Sequence, residues 1–410
     1  MRDMFDVFII GAGLAGLNVA RLIANQTKLS VGIMNKGAYN TNNPLRITFM
    51  DVLKEYGLDD CIVAKYNSFC VFSYHQAKSK HYFKDNIFAA LDYNKAKSKL
   101  LNLLQSNNNL IFFEDQASSI RKCSDWIEIK SEKNNLIKTR VLIDASGISH
   151  FVANNYGLEK PHLYSHSYGN FFTNCLNNND NTPCFVASSL DYGSGGGWFY
   201  PIGQDKASVG FAIITDSVIF PEQLVKHNFE RAIQEVKPIN TYLKQAVPSN
   251  DEYGTIPIQI IGKLTLDRIL IVGDAAGQAT PWNCMGIEPI LRASDIVASV
   301  LKEAFKANDF SNSFLRSYQQ KWEIINKKTY DNVNTKKVKI WFFPEDVWDF
   351  IIECDLNSLT PDQFINRTRY NSVLMPKVIS WIKWVLFKIK IFHKRKKYKK
   401  HIVTEKQLLI

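Results

Sequence analysis

The stretch Asp6-Val7-Phe8-Ile9-Ile10-Gly11-Ala12-Gly13-Leu14-Ala15-Gly16 decides how the chain is read. An apolar run of β-branched and aromatic residues enters a glycine turn, and the helical pattern of residues 17–24 follows. A second apolar run, residues 29–34, ends in Asn35 and completes a strand–helix–strand unit of the usual length, roughly 30 residues. Each glycine answers a separate need. Gly11 allows a tight turn, Gly13 lets backbone approach a pyrophosphate, and Gly16 lets helix and strand pack closely. The N-terminus of the helix that follows, with its free N–H groups and positive dipole end, faces the anion. The spacing predicts dinucleotide binding; the competing reading is a tight turn that serves packing alone. An acid usually ends the second strand and accepts hydrogen bonds from ribose hydroxyls. Here Asn35 holds that place, and its amide bonds a hydroxyl without the charge-assisted strength of a carboxylate.

Downstream, residues 95–104 read as a helix and 110–114 as a strand, with strands at 126–130 and 139–143 around an Asn-Asn turn. Residues 151–262 are rich in Asn, Gly and aromatics, and short alternating runs such as 207–214 predict an antiparallel sheet. A buried strand at 268–272 and a long helix at 286–307 return the chain to the first domain, and the pattern after Ser311 is mostly helical. Residues 177–181 read as an exposed loop. The expected class is therefore α/β. A Rossmann-like domain with a parallel sheet takes residues 1–150 and 263–310, and an antiparallel substrate domain takes 151–262. A helical region at 311–376 and a basic amphipathic tail at 377–410 follow.

At 410 residues and 46% hydrophobic, the chain can bury a sizeable core divided between two domains. No basic segment precedes an apolar stretch at the N-terminus, so a secretory signal is not expected and the location is read as cytoplasmic. The 7 cysteines include no Cys-x-x-Cys pair, which predicts reduced thiols and no metal. The histidines show neither metal spacing nor a triad, and His75 and His81 are read as structural. The net charge of +11 is concentrated at one end: from Lys377 onward there are 11 Lys/Arg against one acid, Glu405. Residues 1–376 hold 39 basic and 38 acidic residues, and no basic face with interleaved aromatics suggests nucleic-acid binding.

Two further segments accompany the glycine turn: Val141-Leu-Ile-Asp144-Ala-Ser-Gly147, and Ile269-Leu-Ile-Val-Gly273-Asp274-Ala-Ala-Gly277 with Pro281 and Gly286-Ile287 after it. Together, in pieces from residue 5 to about 320, they resemble the three flavin signatures of the geranylgeranyl reductase group. That group belongs to the hydroxylase-fold flavoproteins, with flavin monooxygenases, halogenases and lycopene cyclases. The resemblance implies FAD as cofactor, contacted by Gly11, Gly13, Leu14, Ala15, Gly16, Asn35, Asp144, Gly147, Gly273, Asp274, Gly286 and Ile287. It implies that Asp274 bonds the ribityl chain, where the plain alternative is an N-cap. It also aims the helix after Gly286 at the pyrimidine edge of the flavin, where negative charge gathers on reduction.

Gly197-Trp198-Phe199-Tyr200-Pro201, with Val209-Gly210 downstream, looks like the segment that lines the substrate cavity in the reductases. Neighbouring strand residues point oppositely, so Trp198 and Tyr200 share a face and can wall an apolar pocket, or can fill an ordinary sheet core. The chain departs from the reductase pattern at Gly196, where a tyrosine is usual, and at Cys284-Met285, where Gly-Glu or Gly-Gly is usual. Cys284 has no partner cysteine nearby in sequence and reads as a small buried residue.

The function implied is reduction of carbon–carbon double bonds in an apolar isoprenoid or lipid-like substrate, by hydride transfer from flavin N5. No second glycine-rich fold is present, so NAD(P)H would be a transient electron donor. The alternatives are an FAD-dependent monooxygenase or halogenase, a lycopene-cyclase-like enzyme without net redox change, and a non-catalytic flavin protein. The halogenase pair of tryptophans around Ile-Pro is not matched at residues 198–202. In the tail, 11 of the 15 residues at 378–392 are apolar, and 6 of the 7 at 394–400 are basic. This is too short and too charged to span a bilayer, but it suits a helix lying in an anionic membrane surface. The bland alternative is a docked helix with a solvated charge run.

Overall fold

The computed structural model describes residues 4–37, 45–105, 107–176, 181–189, 191–330, 341, 343 and 345–370. The tail, and the membrane reading attached to it, lies outside the described residues, as does most of the loop at 177–181. The strand Phe5–Ile10 sits at the centre of an eight-stranded sheet, with Val7, Phe8 and Ile9 wholly buried as a strand covered on both faces requires. It pairs in parallel with Val31–Asn35 on one side and Leu136–Asp144 on the other. Leu110–Glu114 and Ile269–Ile271 extend the parallel set outward. The hairpin strands Ala117–Lys122 and Ile127–Ser131 run antiparallel from the first half of Leu136–Asp144. The helices Leu14–Gln26 and Ile287–Ala307 pack on each other over this sheet. This is the expected α/β architecture, with the main parallel and antiparallel segments where their periodicity puts them.

A second sheet of seven strands has the order Val247–Pro257, Tyr164–Thr173, Lys206–Thr215, Gly197–Ile202, Cys184–Val186, Ser68–Phe72, Lys78–Tyr82. All its neighbours are antiparallel except Cys184–Val186 with Ser68–Phe72. Two of its strands thus come from residues 68–82, far from the others in sequence. Pairing across such a distance leaves no local trace in the pattern. The helix Glu222–Glu235 within residues 151–262 was also not anticipated. It covers the far face of this sheet, where Phe199, Val209, Phe211 and Phe229 form a core. A small third sheet, Arg46–Phe49, Phe88–Leu91 and Ile62–Tyr66, stands beside the first two.

Candidate functional site

Three segments that are remote in sequence converge at the carboxyl ends of the parallel strands. Backbone bonds join them directly: Gly11 N–H to Met34 O at 2.8 Å, Ala145 N–H to Ile10 O at 2.9 Å, and Val272 N–H to Asp144 O at 2.9 Å. The glycines of the first turn then divide their tasks. Gly11 has φ +103°, and a Cβ there would stand 2.2 Å from Ala145 O. A Cβ on Gly16 would stand 2.0 Å from Gly11 O, so both glycines serve close packing. Gly13 differs, because its Cβ would meet nothing nearer than the Tyr93 hydroxyl at 4.0 Å. It caps the helix Leu14–Gln26 with no side-chain bond and no acid in the first turn, and Leu14 N–H reaches Tyr93 Oη at 3.4 Å. The space beside Gly13 and the N–H groups at Leu14 and Ala15 form a cradle suited to a phosphate.

At the end of the second strand, Asn35 donates its amide N–H to Gly37 O at 2.6 Å. Its Oδ1 remains the uncommitted atom among the described residues, which makes the amide an acceptor toward a hydroxyl, as a carboxylate would be. Asp144 is placed differently. It is wholly buried, and its two oxygens accept from Ser146 N–H at 2.9 Å and Val152 N–H at 2.7 Å, bracing the turn that contains Gly147. Gly147 adopts φ +64° with open space around it. Gly273, at φ +72°, lies against Ala15, where a Cβ would come within 2.8 Å of the alanine methyl. The following Asp274 is thereby set over the start of the first helix. Among the described residues nothing donates to its carboxylate, and desolvation pushes its pKa up to about 6 against the opposing pull of Arg46.

Gly286 caps the helix Ile287–Ala307, and with Ile287 its N-terminus opens onto a cavity. On the opposite side the cavity is walled by Trp198 and Tyr200, whose rings stack 6.3 Å apart on one face of the strand Gly197–Ile202. The floor includes small residues from neighbouring strands, among them Ser165, Ser167 and Ala212, and Gly197 of the same strand. Gly210 lies under the Trp198 indole, where a Cβ would come within 2.2 Å of the ring. That close approach explains why a glycine follows Val209. Burial pushes the Tyr200 phenol well above its usual range.

Cys284 also lines the cavity, in left-handed backbone at φ +55°. Burial pushes its thiol up to about 12, so it is a neutral group rather than a thiolate. All 7 cysteines carry free thiols. His81 is buried in a strand and stacks on Phe364, while His75 pairs with Asp349. Among the described residues no group of three His, Cys, Asp or Glu is placed to hold a metal, and no helix is long and apolar enough to cross a membrane.

The sequence reading missed three polar residues of this site. Arg46 lines the cavity from the strand Arg46–Phe49, and its guanidinium stands over Gly254. Glu252 is only 6% exposed, and burial pushes its carboxyl up to about 7. Ser208 links it to Trp198: the indole N–H donates to Ser208 Oγ at 3.0 Å, and Ser208 O–H donates to Glu252 Oε2 at 2.5 Å. A charge between Leu45 and Ile47 was a visible signal for Arg46, whereas the polar run around Glu252 hid it.

The chain is 34% identical over 134 residues to digeranylgeranylglycerophospholipid reductase 2 of Methanopyrus kandleri, covering 32% of this chain and 33% of that protein. The digeranylgeranylglycerophospholipid reductase of Haloferax volcanii is 22% identical over 358 residues, 78% of this chain and 82% of that one. The chain spans about a third to a half of the length of the first curated relatives it matches. A geranylgeranyl bacteriochlorophyll reductase-like protein from Thermoplasma acidophilum shares the fold, with TM-score 0.75 and 18% identity over 93% of this chain and 95% of that one. The flavin-dependent brominase Bmp2 does so at TM-score 0.69 and 15% identity, over 96% and 100%. The family model described as lycopene cyclase protein matches residues 6–333, and the chain belongs to that family.

Proposed function

We propose that this protein is an FAD-dependent oxidoreductase that saturates carbon–carbon double bonds of an isoprenoid, lipid-like substrate. The observation that carries the reading is the cavity between Trp198, Tyr200 and the N-terminus of the helix Ile287–Ala307, next to the cradle at Gly13. FAD suits the residues present: the Gly13 space and the N–H groups of Leu14 and Ala15 would take the pyrophosphate, Asn35 a ribose hydroxyl, and Asp274 the ribityl chain. When bound, the flavin supplies hydride at N5. Toward it the chain would contribute the dipole of the Ile287–Ala307 helix, whose N-terminus favours negative charge. The rings of Trp198 and Tyr200 would hold an apolar chain and exclude water from its double bond. NAD(P)H fits the role of transient donor. The names of the similar reductases support the substrate class, and the basic tail suits a substrate that resides in a membrane.

The second reading is an FAD-dependent monooxygenase or halogenase, and the flavin-dependent brominase Bmp2 shares the fold. One experiment separates the two. The purified protein should be yellow with bound FAD, and after anaerobic reduction a tetraprenyl alcohol should reoxidise the flavin without oxygen. A protein that takes up no FAD overturns the cofactor. Reoxidation that requires oxygen overturns the reductase, and a rearranged product with no flavin reoxidation assigns a cyclase-like reaction.

A further inference from the structure

We propose that Glu252 is a positioning residue of the cavity, holding the Trp198 indole through Ser208 and the strand that carries Arg46 through Leu45; this rests on the reductase reading above. Trp198, Gly210, Gly169 and Glu252 are successive cross-strand partners, so they form one row across the second sheet on one face. The two glycines leave a trough between the tryptophan and the carboxylate. The indole lies over Gly210, stacks on Tyr200 at 6.3 Å and is anchored by its N–H, donated to Ser208 Oγ at 3.0 Å. Ser208 passes the constraint to Glu252 Oε2 at 2.5 Å. The other oxygen, Oε1, accepts Leu45 N–H at 3.3 Å, one residue before Arg46.

A single carboxylate thus ties the edge strand of the second sheet to the tryptophan wall and to the third sheet. Both of its oxygens accept, which a glutamine cannot reproduce because its amide nitrogen only donates. Placing an ionisable group where only 6% is exposed is unfavourable, and packing alone would be met by an apolar residue. Arg46 is the cation facing it, and Tyr200 lies on the same side. On its own strand, Asp251 turns to Asn170 at 2.8 Å.

The test uses the full chain with FAD bound, carrying Glu252→Gln, Ser208→Ala or Trp198→Phe, alone and combined. The near-ultraviolet circular dichroism band of Trp198 is taken as wild type minus Trp198→Phe. Glu252→Gln and Ser208→Ala should each alter that band and raise KM for a tetraprenyl alcohol by roughly five- to tenfold, the effect of one hydrogen bond, with kcat changed far less. In the Trp198→Phe background, Glu252→Gln should add less than about twofold to KM, since coupled residues are not additive. A wild-type band and KM in both Glu252→Gln and Ser208→Ala overturns the proposal, as does full additivity with Trp198→Phe. Should Glu252→Gln fail to fold, Ser208→Ala breaks the same chain of bonds from the other side. A wild-type enzyme that never turns over the alcohol defeats the reductase reading alone, and the dichroism still decides on Glu252.

Discussion

Replacing Gly13 by alanine separates ligand binding from folding at a single atom. The backbone there is extended, φ −75° and ψ −175°, which any residue adopts. The added methyl meets only the Tyr93 hydroxyl at 4.0 Å, ordinary contact. Alanine is a poorer N-cap than glycine by up to about 1 kcal/mol, and the reduced freedom of the unfolded chain returns about 0.4–1 kcal/mol. The melting temperature of the apoprotein should therefore stay within about 3 °C of wild type. FAD binding should collapse, because the methyl fills the space through which a pyrophosphate approaches the N–H groups of Leu14 and Ala15. Two charge-assisted bonds lost, at about 1.5–3 kcal/mol each, weaken binding at least about 100-fold.

Gly11→Ala and Gly16→Ala are the controls. Their methyls would stand 2.2 Å and 2.0 Å from backbone oxygens, and Gly11 also has φ +103°. Each should destabilise the apoprotein by about 1–3 kcal/mol, visible as a fall of several degrees in Tm. The assay is titration of apoprotein with FAD, followed by flavin fluorescence, beside thermal melts of all three variants. Gly13→Ala that binds FAD within about threefold of wild type would refute the reasoning, since the glycine would then serve the turn alone. Gly13→Ala that melts like Gly11→Ala would refute the contact geometry.

Three more outcomes are expected. Asp274 has a folded pKa of about 6, raised from 3.8, so the stability it contributes is full below about pH 4 and is lost as pH rises through about 6. Asp274→Asn apoprotein should accordingly melt above wild type at pH 7 and with it at pH 4; the difference between the two melting curves is the readout, because Glu252 also titrates near 7. Gly210→Ala should push the indole of Trp198 aside, leaving FAD affinity within about threefold while lowering turnover of a tetraprenyl alcohol roughly tenfold, and unchanged turnover would remove Trp198 from the substrate wall. Deleting residues 377–410 should preserve FAD binding but abolish sedimentation with anionic vesicles, an attraction of about 1 kcal/mol per Lys/Arg that weakens with salt; a full chain that ignores such vesicles at low salt refutes it.

The strands of the parallel sheet were legible because each is an apolar run, and the helix between Phe5–Ile10 and Val31–Asn35 carries its own period. The helix Ile287–Ala307 was legible for the same reason, with its first residue one position after the expected start, Gly286, which is its cap. Ser68–Phe72 and Lys78–Tyr82 were not, since nothing local says which sheet they join. Contacts of the site follow the same rule. The glycine turn announces itself within a few residues, whereas the bond from Leu45 to Glu252 crosses 207 positions and exists only once three sheets are assembled. Asp144 shows the converse: its Asp-Ala-Ser-Gly setting is visible in sequence, but only the fold shows both oxygens occupied by the turn that follows.

Whether Trp198 and Tyr200 wall a cavity or fill a core is decided by their neighbours, not by the two rings themselves. The far face of the same sheet carries Phe199, Val209 and Phe211, all at most 2% exposed, closed over by Phe229 of the helix Glu222–Glu235. A core face fills to close packing in this way. Across the strands on the near face stand Gly210, Ala212, Gly169, Ser165 and Ser167, residues too small to reach a covering layer. The layer opposite them is Cys284, Met285 and Gly286, a loop leading into the helix Ile287–Ala307. That stretch of glycine, alanine and serine leaves space beneath Trp198 and Tyr200, while Phe185, Ile256 and Trp341 pack at its margin and Arg46 and Asn283 border it with polar groups. The aromatics therefore border a gap of about 100 Å³, and the proposed substrate reading of this face rests on the side chains that are missing from its floor.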